Sequence, residues 1–182
     1  LFSQFRILCA TKVGPQGTQA INDQVTSFLL RTPGSVFKGL PVMVTENDYQ
    51  QNLFNGDIGL VWPDKDTGIQ MVWFPGSDEG FRAIPFARLP NHDIVFAMTI
   101  HKTQGSEFSR VAMFLPDTFS KILSRELIYT GLTRAKSYFS YCGNEAAWKQ
   151  AVTQPVVRHS GLREKLGIAQ QKTSAVPKLA SK

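Results

Sequence analysis

The sequence predicts an α/β protein, a parallel-sheet domain interrupted by a small β-barrel insertion. Three observations predict it. The chain opens with strand, glycine turn and helix; residues 36–90 carry short β-rich runs divided by turn signals; and after Pro90 strands and helices alternate again.

Arg6-Ile7-Leu8-Cys9-Ala10 is a short apolar run that suits a buried strand. Gly14-Pro15-Gln16-Gly17-Thr18 supplies a turn. From Gln19 to Leu30 the pattern is helical, with Ile21, Val25, Phe28 and Leu29 on one face. In the middle stretch Pro41–Val44, Ile58–Trp62 and Gln70–Phe74 read as strands. The turn signals Asn55-Gly56-Asp57, Asp64–Gly68 and Gly76–Gly80 separate them. Strands at such intervals build a small barrel or sheet, and a unit of about 50 residues needs support from a surrounding domain. Trp62, Trp73 and Phe74 fit the core of that unit, although a base-stacking platform would use the same residue types. Beyond Pro90, Asp93–Ile100 and Arg110–Leu115 read as strands, Ser124–Ala135 as a helix and Tyr138–Cys142 as a further strand. A short helix holds Ala146, Ala147 and Trp148. The expected organisation is a discontinuous domain at 1–35 and 91–160, an insertion at 36–90, and a flexible polar tail at 161–182.

Composition narrows the function. Hydrophobic residues at 42% exclude a wholly disordered chain, and a formal charge of +6 favours an anionic partner. Cys9 and Cys142 lack His or Cys neighbours at metal-ligand spacing, which argues against a zinc site and suits a reducing cytoplasm. No apolar run approaches the roughly 18 residues of a membrane span. His92 and His159 have no ligand-spaced partners, and Asp64, Asp66, Asp78 and Glu79 sit in turns, so no two-metal carboxylate site is expected. The abrupt, strand-like opening reads as part of something longer.

Two segments carry chemistry. Thr99-Ile100-His101-Lys102-Thr103-Gln104-Gly105-Ser106-Glu107-Phe108 follows an apolar strand, so its polar side chains are expected at a strand's carboxyl end, where open α/β sheets bind ligands. Lys102, Gln104, Gly105 and Glu107 supply a cation, an amide, a close backbone approach and a carboxylate, a set that suits a phosphate-and-sugar ligand. An ordinary polar loop has similar composition. In the second segment, Leu127–Lys136, the residues Leu127, Gly131 and Ala135 share a closely packing helix face while Arg134 points elsewhere. Such an arginine suits bidentate phosphate contact, and equally suits stabilising a helix dipole.

Taken together, Thr-x-His-Lys-x-Gln-Gly-x-Glu and Leu-x-Tyr-Thr-x-x-Thr-Arg-Ala resemble motifs V and VI of superfamily 1 helicases. Pro41–Tyr49 with Leu53–Gly59 resembles the RecD branch, that of the alpha subunit of exodeoxyribonuclease V and its relatives. The resemblance covers roughly residues 5–150 and implies a RecA-like second motor domain with an SH3-like insertion. It implies ATP and magnesium as cofactors, held mainly by an N-terminal motor domain of the same protein. Single-stranded DNA and the beta and gamma subunits are the other implied partners, and the implied translocation is 5′ to 3′. Residue by residue, it puts Gln104 and Gly105 near the γ-phosphate, Glu107 near the ribose and Arg134 as an arginine finger. Thr99 and His101 would face the DNA, and Asn47, Tyr49 and Asn55 would contact nucleic acid. Asn47 and Asn55 are also good turn formers, and Tyr49 also suits packing.

One absence is informative. The nearest approach to a phosphate loop, Gly34-Ser35-Val36-Phe37-Lys38-Gly39, continues as Leu40-Pro41 where Lys-Ser/Thr is required, and no strand ends in an acidic pair for magnesium. The chain alone is therefore expected to be inert toward ATP. A separate nucleic-acid-binding or assembly module would also lack a phosphate loop, but would leave Gln104, Glu107 and Arg134 without a role.

Overall fold

Two sheets share one apolar run. The computed structural model describes residues 4–29, 36–76, 80–118, 120 and 122–156. The expected tail at 161–182, His159, Asp78 and Glu79 lie outside them, as do Gly34 and Ser35. The first sheet is parallel throughout, in the order β7 (Ala97–Thr99), β1 (Phe5–Cys9), β8 (Phe108–Phe114), β9 (Ala135–Cys142). The second is antiparallel, in the order β5 (Phe81–Pro85), β4 (Gln70–Pro75), β3 (Ile58–Pro63), β2 (Pro41–Val44), β6 (His92–Ile94).

Side-chain alternation along the parallel strands builds a three-layer unit. Leu8, Val111 and Met113 face α2 (Arg125–Leu132) and α3 (Glu145–Thr153), packing with Leu127, Ile128, Ala147 and Ala151. Ile7, Cys9 and Phe114 face α1 (Thr18–Leu29), packing with Ile21 and Val25. The two later helices start where capping chemistry allows. Ser124 Oγ accepts from Leu127 N, and Asn144 Oδ1 accepts from Ala146 N and Ala147 N. The antiparallel sheet has its own core of Val42, Val44, Leu53, Val61, Val72, Phe74 and Ile84.

The single strand expected at Asp93–Ile100 is instead two. Its first part pairs with β2, Val42 opposite Ile94, and its second with β1, Ile7 opposite Ala97. Val95 lies at the break, and its backbone explains it. Val95 N donates to Pro41 O at 3.1 Å, while Val95 O accepts from Arg6 Nη1 at 3.1 Å. One residue thus bonds to each side, and both its backbone polar atoms are satisfied. Met43, Ile58, Val95 and Met98 fill the space between the sheets. The antiparallel unit therefore runs on to Ile94, past the expected boundary at residue 90.

Other departures have local causes. Phe28 is 89% exposed and Leu29 is also exposed, so only Ile21 and Val25 of the expected α1 face pack inward. β5 was not expected, because Arg82 and the flanking prolines mask a strand that β4 pairs fully. α2 stops at Leu132, which moves Ala135 from the helix into β9. Phe74 is core as expected, whereas Trp62 is 43% exposed beneath Lys38, whose Nζ sits 4.0 Å from the ring centroid.

Burial separates the two cysteines. Cys9 is fully buried, and desolvation pushes its thiol up to about 12, whereas Cys142 is exposed. An aromatic disulfide reagent near pH 8 is expected to titrate Cys142 in the folded protein and both thiols in guanidinium. Rapid reaction of both thiols in the folded state would contradict the packing of β1.

Candidate functional site

The segment from Thr99 to Glu107 crosses the parallel sheet from one edge to the other. β7 ends at Thr99, level with Cys9 at the carboxyl end of β1. A 3₁₀ turn, Ile100–Thr103, follows, with Ile100 and Thr103 buried and His101 and Lys102 exposed. Thr103 Oγ1 donates to Ile100 O at 2.8 Å and holds the turn together. Gln104 (φ −58°, ψ 131°) and Gly105 (φ +83°) then form the centre of a type II turn, closed by Ser106 N donating to Thr103 O at 3.0 Å. Only glycine takes that second position without strain. Phe108 begins β8 opposite Ala135, the first residue of β9.

The parallel register corrects the expectation that the whole segment lies at a strand's carboxyl end. Thr99 does, but Gln104–Glu107 lead into the amino end of β8, and Arg134 immediately precedes the amino end of β9. A loop joining parallel strands must travel the length of the sheet, so its two halves face opposite edges.

Arg134 is held at the amino edge. Its Nε donates to Thr130 O at 3.1 Å, Nη1 to Ser106 O at 3.0 Å and Nη2 to Thr133 Oγ1 at 3.2 Å. A guanidinium has five N–H donors, so about two remain for a ligand. The bond to Thr130 O also satisfies a carbonyl in the last turn of α2, so the dipole role and an outward-facing role coexist. Next to it, Lys136 Nζ lies 3.2 Å from Glu107 Oε2. Ser106 was not singled out from sequence because it contributes a backbone carbonyl, which no residue type signals.

Gly131 joins this helix to the crossing loop. A Cβ there would stand 2.7 Å from Met113 Sδ and 3.4 Å from Ile100 Cδ1. The close packing expected of Leu127 and Gly131 is present, and its partner on the loop is Ile100.

Lys102 parts company with Gln104, Gly105 and Glu107. Its Nζ lies 4.0 Å from Asp93 Oδ2, in a cleft of about 440 Å³ that also includes Thr99, Lys12, Asn22 and Asp23. Asn47, Tyr49 and Asn55 come together elsewhere, on the loop between β2 and β3. Asn47 Oδ1 accepts from Asn55 N at 2.9 Å, and Asn47 Nδ2 meets Tyr49 Oη at 3.4 Å. Tyr49 is 77% exposed and edge-on to Phe54, so it is not a core residue. Asp48 anchors the loop by accepting from Gln51 Nε2, Gln51 N and Gln50 N, bonds that hold its carboxyl below the usual range.

The donor set at the amino edge (a guanidinium, an amide and a tight glycine turn) fits part of a nucleoside triphosphate. Among the described residues no cluster of three or more His, Cys, Asp or Glu side chains that could hold a metal occurs.

Known proteins share this sequence and fold. The model for the UvrD-like helicase C-terminal domain matches residues 94–139, which include both the crossing loop and Arg134. The RecBCD enzyme subunit RecD of Haemophilus influenzae is 39% identical over 168 residues, covering 88% of this chain and 25% of that protein. The subunit of the same name from Mycolicibacterium smegmatis is 40% identical over 168 residues, covering 90% of this chain and 29% of that protein. The chain thus spans between a quarter and a third of the length of these relatives. A Pif1 helicase from Bacteroides, solved with ADP-AlF3 and ssDNA, shares the fold at a TM-score of 0.55 and 14% identity, over 91% of this chain and 44% of that one. The chain is part of a superfamily 1 helicase. Within that class it belongs to the RecD type and corresponds to its C-terminal portion.

The Gly131 contact yields a direct test of how α2 is seated. Gly131→Val would drive branched carbons into Met113 and Ile100, and is expected to cost about 1–3 kcal/mol in denaturant unfolding. A midpoint unchanged from the parent would mean that α2 does not press on the crossing loop.

Proposed function

We propose that this chain is the second motor domain of an ATP-driven 5′-to-3′ DNA helicase, the alpha subunit of a helicase–nuclease complex that acts in double-strand-break repair. The observation that carries the reading is the pairing of Arg134 with Ser106 at the amino edge of β8 and β9. That pairing ties the arginine to the loop that also carries Thr99 and His101.

In this reading Arg134 is the arginine finger, and its free N–H groups stabilise charge on the transferred phosphoryl group. Gln104 and Gly105 border the γ-phosphate and Glu107 the ribose. ATP supplies the phosphoanhydride whose cleavage drives translocation, and magnesium belongs with the phosphate loop of the partner motor domain. Thr99 and His101 grip single-stranded DNA at the other end of the same loop. Lys102 is better assigned to this DNA side, because it shares a cleft with Thr99. The parallel-sheet unit is the RecA-like domain, and the antiparallel unit is an SH3-like insertion. Its exposed Tyr49, with Asn47 and Asn55, is suited to stacking and hydrogen bonding with bases. The beta and gamma subunits of exodeoxyribonuclease V complete the assembly, in the cytoplasm.

A nucleic-acid-binding module with no ATPase role is the rival reading. It explains Tyr49 but gives the Arg134–Ser106–Gln104 arrangement nothing to do.

ATP hydrolysis measured with and without single-stranded DNA separates the two. This chain alone is expected to be silent, while a complete RecD-type helicase carrying it turns over. Arg134→Ala in that helicase is expected to lower kcat by about 10³-fold or more, with DNA affinity changed less than about twofold. Turnover by the isolated chain, or full turnover of the Arg134→Ala protein, would overturn the proposal.

A further inference from the structure

β7 is an edge strand of three residues, and it delivers Thr99 to the carboxyl edge of the sheet. Short edge strands fray, because one row of their backbone groups has no strand partner. Here a side chain takes the place of a neighbouring strand. Asn22 of α1 accepts from Ala97 N through Oδ1 at 2.8 Å and donates to Ala97 O through Nδ2 at 3.2 Å. The amide thus satisfies both polar groups of one residue, as a paired strand would, and does so two residues before Thr99. Ala97 is 2% exposed, so water is a poor substitute. Asparagine is a weak helix former, and its presence inside α1 is explained by this bond and not by propensity.

We propose that Asn22 is a positioning residue for the DNA-facing end of the crossing loop, locking β7 so that Thr99 and Lys102 keep a fixed place beside the cleft. This rests on the reading that Thr99 and its neighbours face single-stranded DNA. Asn22 acts through β7, since both polar groups of its amide are engaged with Ala97. Losing it should therefore weaken the response to DNA and leave the nucleotide edge unaffected, since Gln104–Glu107 and Arg134 are held by separate bonds at the far end of the sheet.

The test uses a complete RecD-type helicase carrying this sequence, with Asn22→Ala, Asn22→Asp, Gln24→Ala and Arg134→Ala variants. Asn22→Asp keeps the acceptor for Ala97 N but sets a carboxylate against Ala97 O, and serves if the alanine variant is poorly folded. Gln24 is exposed on the same helix and is not among the residues lining the cleft. The readouts are the oligonucleotide concentration giving half-maximal ATPase, the DNA-free ATPase rate, and the KM for ATP. Both Asn22 variants are expected to raise the half-saturating oligonucleotide concentration about tenfold. KM for ATP and the DNA-free rate should stay within about twofold, and Gln24→Ala should match the parent.

An unchanged oligonucleotide response in the Asn22 variants overturns the proposal, and so does an equal loss of every rate. An equal effect from Gln24→Ala overturns it too, because any change to α1 and not the clamp would then matter. Full turnover by Arg134→Ala is a separate failure, that of the motor-domain reading itself.

Discussion

Phe108 N donates to Arg134 O at 2.8 Å, and this first rung of the β8–β9 ladder sets the geometry of everything around it. Because the two strands are parallel and start level, the residues just before each must emerge side by side. Those residues are Glu107 and Arg134, nearly thirty positions apart in the chain. The guanidinium then bonds Ser106 O, and Lys136 pairs with Glu107, so one edge of the sheet becomes a connected polar patch. Shifting β9 by one residue would reverse the faces of its side chains and break that connection.

The opposite edge is governed by a different economy. A three-residue strand carries Thr99, and it is kept in place by β1 on one side and the Asn22 amide on the other. Between the edges, Ile100 is trapped against Gly131, so movement of the loop must be felt by α2 and the reverse. Interiors are close-packed and respond by switching between arrangements more readily than by stretching. A loop anchored at both ends and pinned in the middle is therefore well built to pass a change from one edge to the other.

Much of this was legible in the residues alone. β1, β2, β3, β4 and β8 lie within a residue or two of their apolar runs, because each run is short, bounded by turn residues and buried. The pairing of Thr99–Glu107 with Leu127–Arg134 was legible as a motif, and the sheet register brings the two together. What was not legible depended on tertiary partners. The run at Asp93–Ile100 shows no internal break; Arg6 and Pro41 divide it by bonding the C=O and the N–H of Val95 respectively. Phe28 continues the helical pattern of α1 but finds nothing beneath it among the described residues. Lys102 looks like part of one polar cluster in the sequence, yet the 3₁₀ turn sends it to Asp93. Asn22 gave only a faint signal, a weak helix former inside a helix.

The proposed link between a DNA-facing edge and a nucleotide-facing edge through one loop is measured most directly by thermodynamic linkage. The affinity of the complete helicase for a non-hydrolysable ATP analogue would be determined with and without saturating single-stranded DNA, in the parent and in Gly105→Val. A Cβ at Gly105 would meet nothing within 4 Å, so the substitution disturbs the left-handed turn without a clash. DNA is expected to shift analogue affinity by at least about fivefold in the parent, with the factor falling toward one in the variant. An undiminished factor in Gly105→Val would contradict the account, since coupling would then bypass this loop.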